Sequence, residues 1–154
     1  ELVRTRRRYQ GVRWGDDGSA LVYERTYQER RMVICRVVTT DGGGSGAEPY
    51  MDYDFSDGYA HPGEPLMQEG PYGRLLLRRF DADKMLWSGS GASEDGARPF
   101  IDSRDYRTGV KVARLWRCAV GCYEDEEVVF GAEGAELRPK GVRGYNGDRL
   151  GVGP

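Results

Sequence analysis

Residues 8–38 read RYQGVRWGDDGSALVYERTYQERRMVICRVV, and this stretch indicates the fold class. Its apolar residues come in the short runs GVRW, ALVYE and MVICRVV, rich in β-branched and aromatic side chains, which are typical of strands. The GDDGS between the first two runs is turn chemistry, because Asp-Gly supplies the positive φ angles of a tight hairpin. The stretch therefore predicts a meander of three antiparallel strands.

A second stretch, from residue 65 to residue 130, repeats this plan. Short apolar runs such as RLLLRRF, KMLWSGSG and GVKVARLW alternate with the turns EGPYG and RDYRTG. Helices are nearly absent, since no stretch keeps apolar residues at i, i+3, i+4 and i+7 between clear caps. The sequence predicts an all-β protein, a partial β-propeller of about two to three blades of antiparallel strands, whereas closed propellers use about four to eight.

Composition shifts along the chain predict its organisation. Exposed blade edges would leave unpaired backbone groups in water, so we expect the isolated chain to be marginally stable or to associate, and to be a segment of a larger protein. The predicted parts are a basic N-terminal arm (1–8), propeller blade strands (9–38), a Gly/Pro-rich loop (39–64), further propeller blade strands (65–130) and an irregular or disordered tail (131–154).

The charge balance favours neither nucleic acid nor a membrane as a partner, and partners are not predictable from it. The formal net charge of -2 is the small difference between 23 basic and 25 acidic residues, so no global field favours either partner. No apolar run approaches the ~18 residues of a membrane span, and the first residues lack a signal-peptide core. The basic cluster Arg4 to Arg8 is interpreted as a solvated strand or linker, because no aromatic platform accompanies it. A nucleic-acid-binding arm is the weaker alternative.

The cysteines do not predict a disulfide framework or a metal site. Cys35, Cys118 and Cys122 are an odd number, which fits a reducing compartment. Cys118 and Cys122 are spaced C-x-x-x-C, but no second pair of ligands lies nearby to complete a tetrahedral site. No metal and no cofactor are therefore predicted.

The acidic run MDYDFSDG offers a second possible cation site. Asp52, Asp54 and Asp57 have the spacing of the start of a calcium loop, but the flanking helices and the later ligands of an EF-hand are missing. We interpret the run as a solvated acidic turn, with weak calcium binding as the alternative.

Catalytic groups are not evident in the sequence. A G-x-S-x-G nucleophile motif is missing. The nearest stretch, WSGSGAS, does not match, because the two glycines of the motif are replaced by Ser88, two positions before Ser90, and by Ala92, two positions after it. His61 is the only histidine and has no partner motif, so we interpret it as a loop residue. The glycines of GGGSG and GSGAS lack the P-loop lysine and a strand-to-helix context. The sequence predicts no catalytic, cofactor-binding or metal-binding residue.

Three stretches, in order, resemble the chloroplast-type glutamyl endopeptidases, a branch of the prolyl oligopeptidase family of serine peptidases. They are GVRWGDDGSALVYERTYQERRMVICRV, FSDGYAHPGEPLMQ and GSGASEDGARPFIDSRDYRTGVKVARLW, within residues 9–130. The last is similar to a G-x-G-A-x-x-x-G-x-x-P-F-h-D motif followed by a T-G hairpin. The resemblance depends mainly on Trp14, Asp16, Asp17, Gly89, Gly91, Ala92, Gly96, Pro99, Phe100 and Asp102, interpreted as structural positions.

The resemblance implies a β-propeller that lies over an α/β-hydrolase domain and restricts which peptides reach a Ser-Asp-His triad. Family members of this branch cleave after glutamate. The implied partners are the α/β-hydrolase domain missing from this chain and peptide substrates, and no catalytic residue carries over to the residues present. The implied location is the chloroplast stroma, with a bacterial cytoplasm as the alternative. The competing hypothesis is a stand-alone propeller-like module that binds proteins and has no enzymatic activity.

Overall fold

The computed structural model describes residues 3–39, 45–81, 83–120, 122–131, 134–144 and 149–150, with side chains described as far as residue 120, except that of residue 39. The strands are β1 (Arg8–Trp14), β2 (Ala20–Thr26), β3 (Arg31–Thr39), β4 (Ser45–Asp54), β5 (Glu64–Pro65), β6 (Met67–Glu69), β7 (Leu75–Leu77), β8 (Lys84–Gly89), β9 (Ala92–Ser93), β10 (Gly96–Ala97), β11 (Phe100–Asp105), β12 (Lys111–Arg117), β13 (Cys122–Gly131), β14 (Gly134–Gly144) and β15 (Arg149–Leu150).

The first sheet is an antiparallel meander in the order β1-β2-β3-β4. Its β1–β2 hairpin closes around the predicted Asp-Gly turn, where Gly18 has a φ of 77°. The three-strand meander predicted for residues 9–38 is present, and β4 extends it. Local hydrophobic patterning was therefore sufficient to predict the first three strands.

A strand, β4, lies within residues 39–64, where the sequence predicted a Gly/Pro-rich loop. It pairs with β3 and buries Tyr50, which is 6% exposed. Pro49 is compatible with this strand because β4 is the edge strand of the sheet and the register shifts between Ile34 and Cys35, the residue opposite Pro49. Composition indicated a loop, but pairing with a preceding apolar strand overrides it.

The second sheet has the order β12-β11-β8-β5, again antiparallel and in chain order. Two short hairpins form separate two-stranded sheets. Along the chain, β6–β7 lies between β5 and β8, and β9–β10 lies between β8 and β11. The runs PLMQ and RLLLRRF, predicted as blade strands, contribute mainly to the β6–β7 hairpin instead of the four-stranded sheet. The register of that hairpin is fixed by its own tight turn at the 3-10 helix Pro71–Gly73.

The third sheet, β13-β14-β15, includes residues that the sequence predicted as part of an irregular tail (131–154). Strand β14 pairs with β13 along its whole length, so hairpin pairing satisfies the backbone where glycine and charge dominate the composition. Residues 132–133, 145–148 and 151–154 of that predicted tail lie outside the described residues.

The main core lies between the first and second sheets. From the first sheet, Tyr50 stacks on Trp87 of the second, with ring centroids 6.4 Å apart, and its hydroxyl donates to Sδ of Met85 at 3.1 Å. Trp87 is fully buried. The cluster comprises Leu21, Tyr23, Ile34, Tyr50, Leu77, Met85, Trp87 and Tyr106.

The predicted all-β class is confirmed. The described residues form several antiparallel sheets, none of them closed into a barrel or ring. The partial propeller and its two to three blades stay a prediction. Within the described part of the chain, no helix is long and apolar enough to cross a membrane.

Candidate functional site

A pocket of about 220 Å³ opens on the second sheet. Its walls are the face of β11 and β12 and the loop residues 59–62, with Gly91 and Ala92 at one side. Four basic side chains and one acidic side chain line it, and we call it the basic pocket. The charged residues are Asp102, Arg104, Lys111, Arg114 and Arg117.

Two register shifts in β12 create the basic face. The pairing of β11 with β12 jumps between Ile101 and Asp102, and again between Ser103 and Arg104. On β12 the residues left without a partner are Leu115 and Val112. Each is the extra residue of a β-bulge, which re-aims the side chains that follow it.

The bulges put residues spaced three apart on one face of the strand. In a regular strand, successive side chains alternate between faces, so Lys111 and Arg114 would point to opposite sides. Here Lys111 lies opposite Arg104, and Arg114 lies opposite Asp102. Arg117 lies opposite Phe100. Paired residues share a face, so the three basic residues of β12 form one row.

Asp102 organises this row. Its side chain is 2% exposed, and its oxygens accept hydrogen bonds from Nε and Nη2 of Arg114 at 2.7 and 3.0 Å. Nζ of Lys111 lies 3.0 Å from Oδ2. Burial raises the pKa of Asp102, but the hydrogen bonds from Arg114 and Lys111 outweigh it, and the pKa lies below its ordinary value. Asp102 is therefore ionised, and both of its carboxylate oxygens contact basic side chains.

Arg104 and Arg117 are the basic residues of the pocket without an ion pair among the described residues. Arg104 donates from Nη1 to the carbonyl of Gly109 at 3.0 Å, and its guanidinium lies over the ring of Trp87 at 5.4 Å. Burial lowers the pKa of Arg104, attraction from Asp102 raises it, and a smaller repulsion from Arg114 lowers it again, so that the pKa lies below its ordinary value. The Nε atoms of Arg104 and Arg117 are buried and have no hydrogen-bond partner in the described part.

The glycines of the family-like motif shape the rim of the pocket. Gly91 has a φ of 60°, and a Cβ there would collide with the carbonyl oxygen of Arg98. A Cβ on Gly89 would come within 2.6 Å of the ring of Phe100, which lines the pocket and lies 4.3 Å from the guanidinium of Arg114. The motif is thus explained by close packing around Phe100.

His61 lies in the wall of the basic pocket, but its contacts are local. Its Nδ1 accepts a hydrogen bond from the backbone N–H of Gly63 at 3.1 Å. Its ring meets Tyr53 edge-on, with centroids 5.1 Å apart. Ser90 is exposed at the end of β8. The contacts of His61 are with its own loop and with the adjacent strand β4.

The three carboxylates of MDYDFSDG serve separate local partners. Asp52 lies in β4 and pairs with Arg31 at 2.8 Å. Asp54 accepts hydrogen bonds from the backbone and hydroxyl of Ser56, and Asp57 accepts one from the backbone of Tyr59. No group of three or more His, Cys, Asp or Glu residues within the described ranges could hold a metal ion.

The N-terminal arginines are held by their backbone. The N–H groups of Arg6 and Arg7 donate to the two carboxylate oxygens of Glu24 at 3.2 and 3.1 Å, and Arg8 begins β1.

The thiol of Cys118 is buried and donates to the carbonyl of Ala119 at 3.5 Å. The side chain of Cys122 lies outside the described part of the structure, so the C-x-x-x-C motif stays a sequence observation.

A second pocket, of about 250 Å³, lies where the first strands of the two four-stranded sheets meet. Arg13 of β1 and Glu64 of β5 face each other across it, with Nη2 and Oε2 3.4 Å apart. The hydroxyl of Tyr23 is buried there, and burial raises its pKa. We call this the inner-strand pocket. Its other lining residues are Gln10, Gly11 and Val12.

Sequence reasoning missed the basic pocket. The spacing of KVARLWR puts the basic residues on alternating faces of an ideal strand, so the pattern by itself does not indicate a cluster. The only signal was a basic residue at every third position from Lys111 to Arg117. That spacing forms one face only when a bulge separates each pair.

Comparisons with known proteins identify one kind of relative. The chain is 34% identical over 116 residues to a probable chloroplastic glutamyl endopeptidase of Arabidopsis thaliana, and 31% identical over 114 residues to one of Oryza sativa subsp. japonica. Each match covers 71% of this chain and 12% of the relative. No family model matches, and no solved structure matches. The resemblance to glutamyl endopeptidases, over part of their length, is confirmed.

Proposed function

We propose that this chain, as a relative of part of the chloroplast-type glutamyl endopeptidases, is a non-catalytic β-propeller segment that limits which peptides reach an α/β-hydrolase domain elsewhere in the protein. The observation that carries the proposal is the match to two glutamyl endopeptidases at 31 and 34% identity. The chain spans about 12% of the length of these relatives, so hydrolysis itself is assigned to the remainder.

The relation between the two four-stranded sheets supports a propeller arrangement. Each sheet is an antiparallel meander in chain order, as a propeller blade is. The first strands, β1 and β5, approach each other at the Arg13–Glu64 ion pair, and the sheets share the core around Tyr50 and Trp87. In a propeller, the first strands of neighbouring blades lie beside the central channel. The inner-strand pocket would then lie on the channel wall.

This arrangement makes the Arg13–Glu64 pair a contact that holds two blades together where peptides would pass. Arg13→Glu would place two like charges across the gap and weaken the contact between the sheets. The matched control is Arg31→Glu, because Arg31 pairs with Asp52 inside one sheet. The two changes alter the net charge equally.

The test uses the longer protein that contains this segment, with glutamyl peptides of increasing length as substrates. We expect Arg13→Glu to raise the cleavage of long peptides relative to short ones, and Arg31→Glu to leave this ratio as in the unmodified protein. If both variants keep the same ratio, the segment does not limit access at this contact. If the longer protein cleaves no glutamyl peptide, the enzyme assignment is wrong.

The resemblance also supports a chloroplast location, because both relatives are named chloroplastic. We propose the stroma, and a bacterial cytoplasm is the alternative. A fluorescent fusion of the longer protein in plant cells tests this, and fluorescence outside the chloroplast would contradict it.

The alternative function is a protein-binding module without enzymatic activity. The apolar side chains of Val110 and Val112 are 63% and 53% exposed at the start of β12, and they favour this alternative. Coding sequence for G-x-S-x-G followed by an aspartate and a histidine, beyond residue 154, would support the peptidase assignment. A stop codon without such a domain would support the module.

A further inference from the structure

We propose that the basic pocket binds a single oxyanion between Arg104, Lys111 and Arg117. The shared chemistry is that of phosphate-type ions and carboxylates, whose oxygens accept several charge-assisted hydrogen bonds at once. The proposal does not rest on the proposed function, because it uses only the contacts of β11, β12 and the loop that covers them.

The charges of the pocket are unbalanced. Four basic side chains face one carboxylate, so the formal charge is +3. Asp102 already accepts two hydrogen bonds from Arg114 and one ion-pair contact from Lys111. It has little capacity left for the other cations. Arg104 and Arg117 form no ion pair with a described residue, although the fold brings both to this face.

Holding like charges together in a half-buried site costs free energy unless an anion compensates them. Burial lowers the pKa of Arg104 and repulsion from Arg114 acts in the same direction, whereas attraction from Asp102 opposes both. The fold maintains this arrangement with two β-bulges, which are commonly found near binding sites. An oxyanion would neutralise part of the charge and accept hydrogen bonds from guanidinium groups.

The size of the pocket limits the ligand. A volume of about 220 Å³ is smaller than the roughly 300 to 1,000 Å³ of a site for a drug-sized molecule. One tetrahedral anion or one carboxylate group with some water fits this space. Lys111 is 41% exposed at its side chain, so the pocket is open to a ligand that arrives from solution.

The experiment titrates the full 154-residue chain with inorganic phosphate at constant ionic strength, followed by the amide shifts in ¹H–¹⁵N NMR spectra. We expect saturating shifts in β11 and β12, and little change in β2. Arg117→Gln should weaken phosphate binding about tenfold, which is the loss of one charge-assisted hydrogen bond. Arg74→Gln, which removes an exposed arginine outside the pocket, should bind phosphate as the unmodified chain does.

Two ligand sources are distinguished by a second titration with N-acetyl-aspartate amide, which carries one peptide-like carboxylate. Tighter binding of phosphate assigns a free inorganic anion, and tighter binding of the amide assigns a carboxylate on a peptide. Either result supports the oxyanion site. The spectra of the unmodified chain show whether β11 and β12 bind an oxyanion even if Arg117→Gln does not fold.

The proposal is overturned by any of three results, of which the third concerns chloride. One is an absence of saturable shifts in β11 and β12 with both ligands. Another is an equal weakening of binding in Arg117→Gln and Arg74→Gln, which would show that only overall charge matters. Chloride at the same ionic strength must not reproduce the shifts, and if it does, the site is not selective for oxyanions.

Discussion

The hydroxyl of Tyr106 donates a hydrogen bond of 3.0 Å to Oδ1 of Asp17, which lies 89 residues earlier in the chain. The same carboxylate oxygen accepts hydrogen bonds from the backbone N–H and the hydroxyl of Ser19, at 3.0 and 2.6 Å. Its other oxygen is 3.1 Å from Nη2 of Arg79. Asp17 therefore joins the first hairpin of the first sheet to the end of β11 in the second.

Replacing Asp17 with Asn should destabilise the chain. Asparagine keeps the shape but loses the charge, so the ion pair with Arg79 and part of the hydrogen bonding are lost. We expect the free energy of unfolding to fall by about 1 to 3 kcal/mol, measured by urea denaturation. The matched control is the neighbouring, exposed Asp16, where the same change should have an effect within about 0.5 kcal/mol. Equal losses in the two variants would contradict the role of Asp17.

Acid should destabilise the chain through Asp102. Its pKa is lower in the folded state than in the unfolded chain, so the unfolded state takes up a proton first as pH falls. The stabilisation is complete above the unfolded value of about 3.9 and is lost as pH falls through the folded pKa. We expect the free energy of unfolding, measured by urea denaturation across pH 2 to 6, to fall below pH ~4.

Asp102→Asn should make this acid limb less steep, because the variant has no carboxylate to protonate at that position. Asp95→Asn is the control, because Asp95 is exposed in the turn between β9 and β10 and has no ion pair in the described part. We expect its acid limb to match that of the unmodified chain. An unchanged acid limb in Asp102→Asn would mean that Asp102 does not carry the effect.

Trp87 should be far more important for stability than Trp14. Trp87 is fully buried between the two sheets, whereas Trp14 is 43% exposed. Trp87→Ala removes a large buried side chain, and we expect a loss of about 3 to 5 kcal/mol of unfolding free energy. Trp14→Ala should cost about 1 kcal/mol or less. Circular dichroism during chemical denaturation measures both, and similar losses would argue against the shared core.

Gly91 should resist substitution more strongly than Gly96. Both have positive φ angles, but a Cβ at Gly91 would collide with the carbonyl of Arg98, whereas nothing lies within 4 Å of a Cβ at Gly96. We expect Gly91→Ala to lower the thermal unfolding midpoint further than Gly96→Ala does, because only Gly91→Ala adds a collision to the backbone strain of about 1 kcal/mol or more. Equal midpoints would mean that the hairpin shifts without cost.

The parts of the fold that were predictable depend on local patterns. The strands β1 to β3 follow from runs such as ALVYE and from the turn at Gly18. Both the apolar runs and the positive φ of the turn are indicated by a few neighbouring residues. Strand β4 was missed because glycines and Pro49 conceal its pairing with β3, which only the sheet reveals. A composition rule cannot detect a partner that lies elsewhere in the chain.

The basic pocket was missed for a different reason. Predicting which face a strand residue occupies assumes a strict alternation, and two bulges break it on β12. Arg104 adds a second difficulty, since it reaches the pocket from the neighbouring strand. Bulge positions depend on the fit between two strands, so a single sequence gives little information about them.

Irregular strands at one edge of each four-stranded sheet also affect how the chain behaves at high concentration. In the described sheets, β4 and β12 are edge strands, and a flat edge strand is a template on which another molecule can add a strand. Pro49 lacks the N–H that such addition needs, and the bulges at Val112 and Leu115 interrupt the regular ladder. At the edges formed by β4 and β12, the chain therefore resists strand addition, the first step of ordered aggregation.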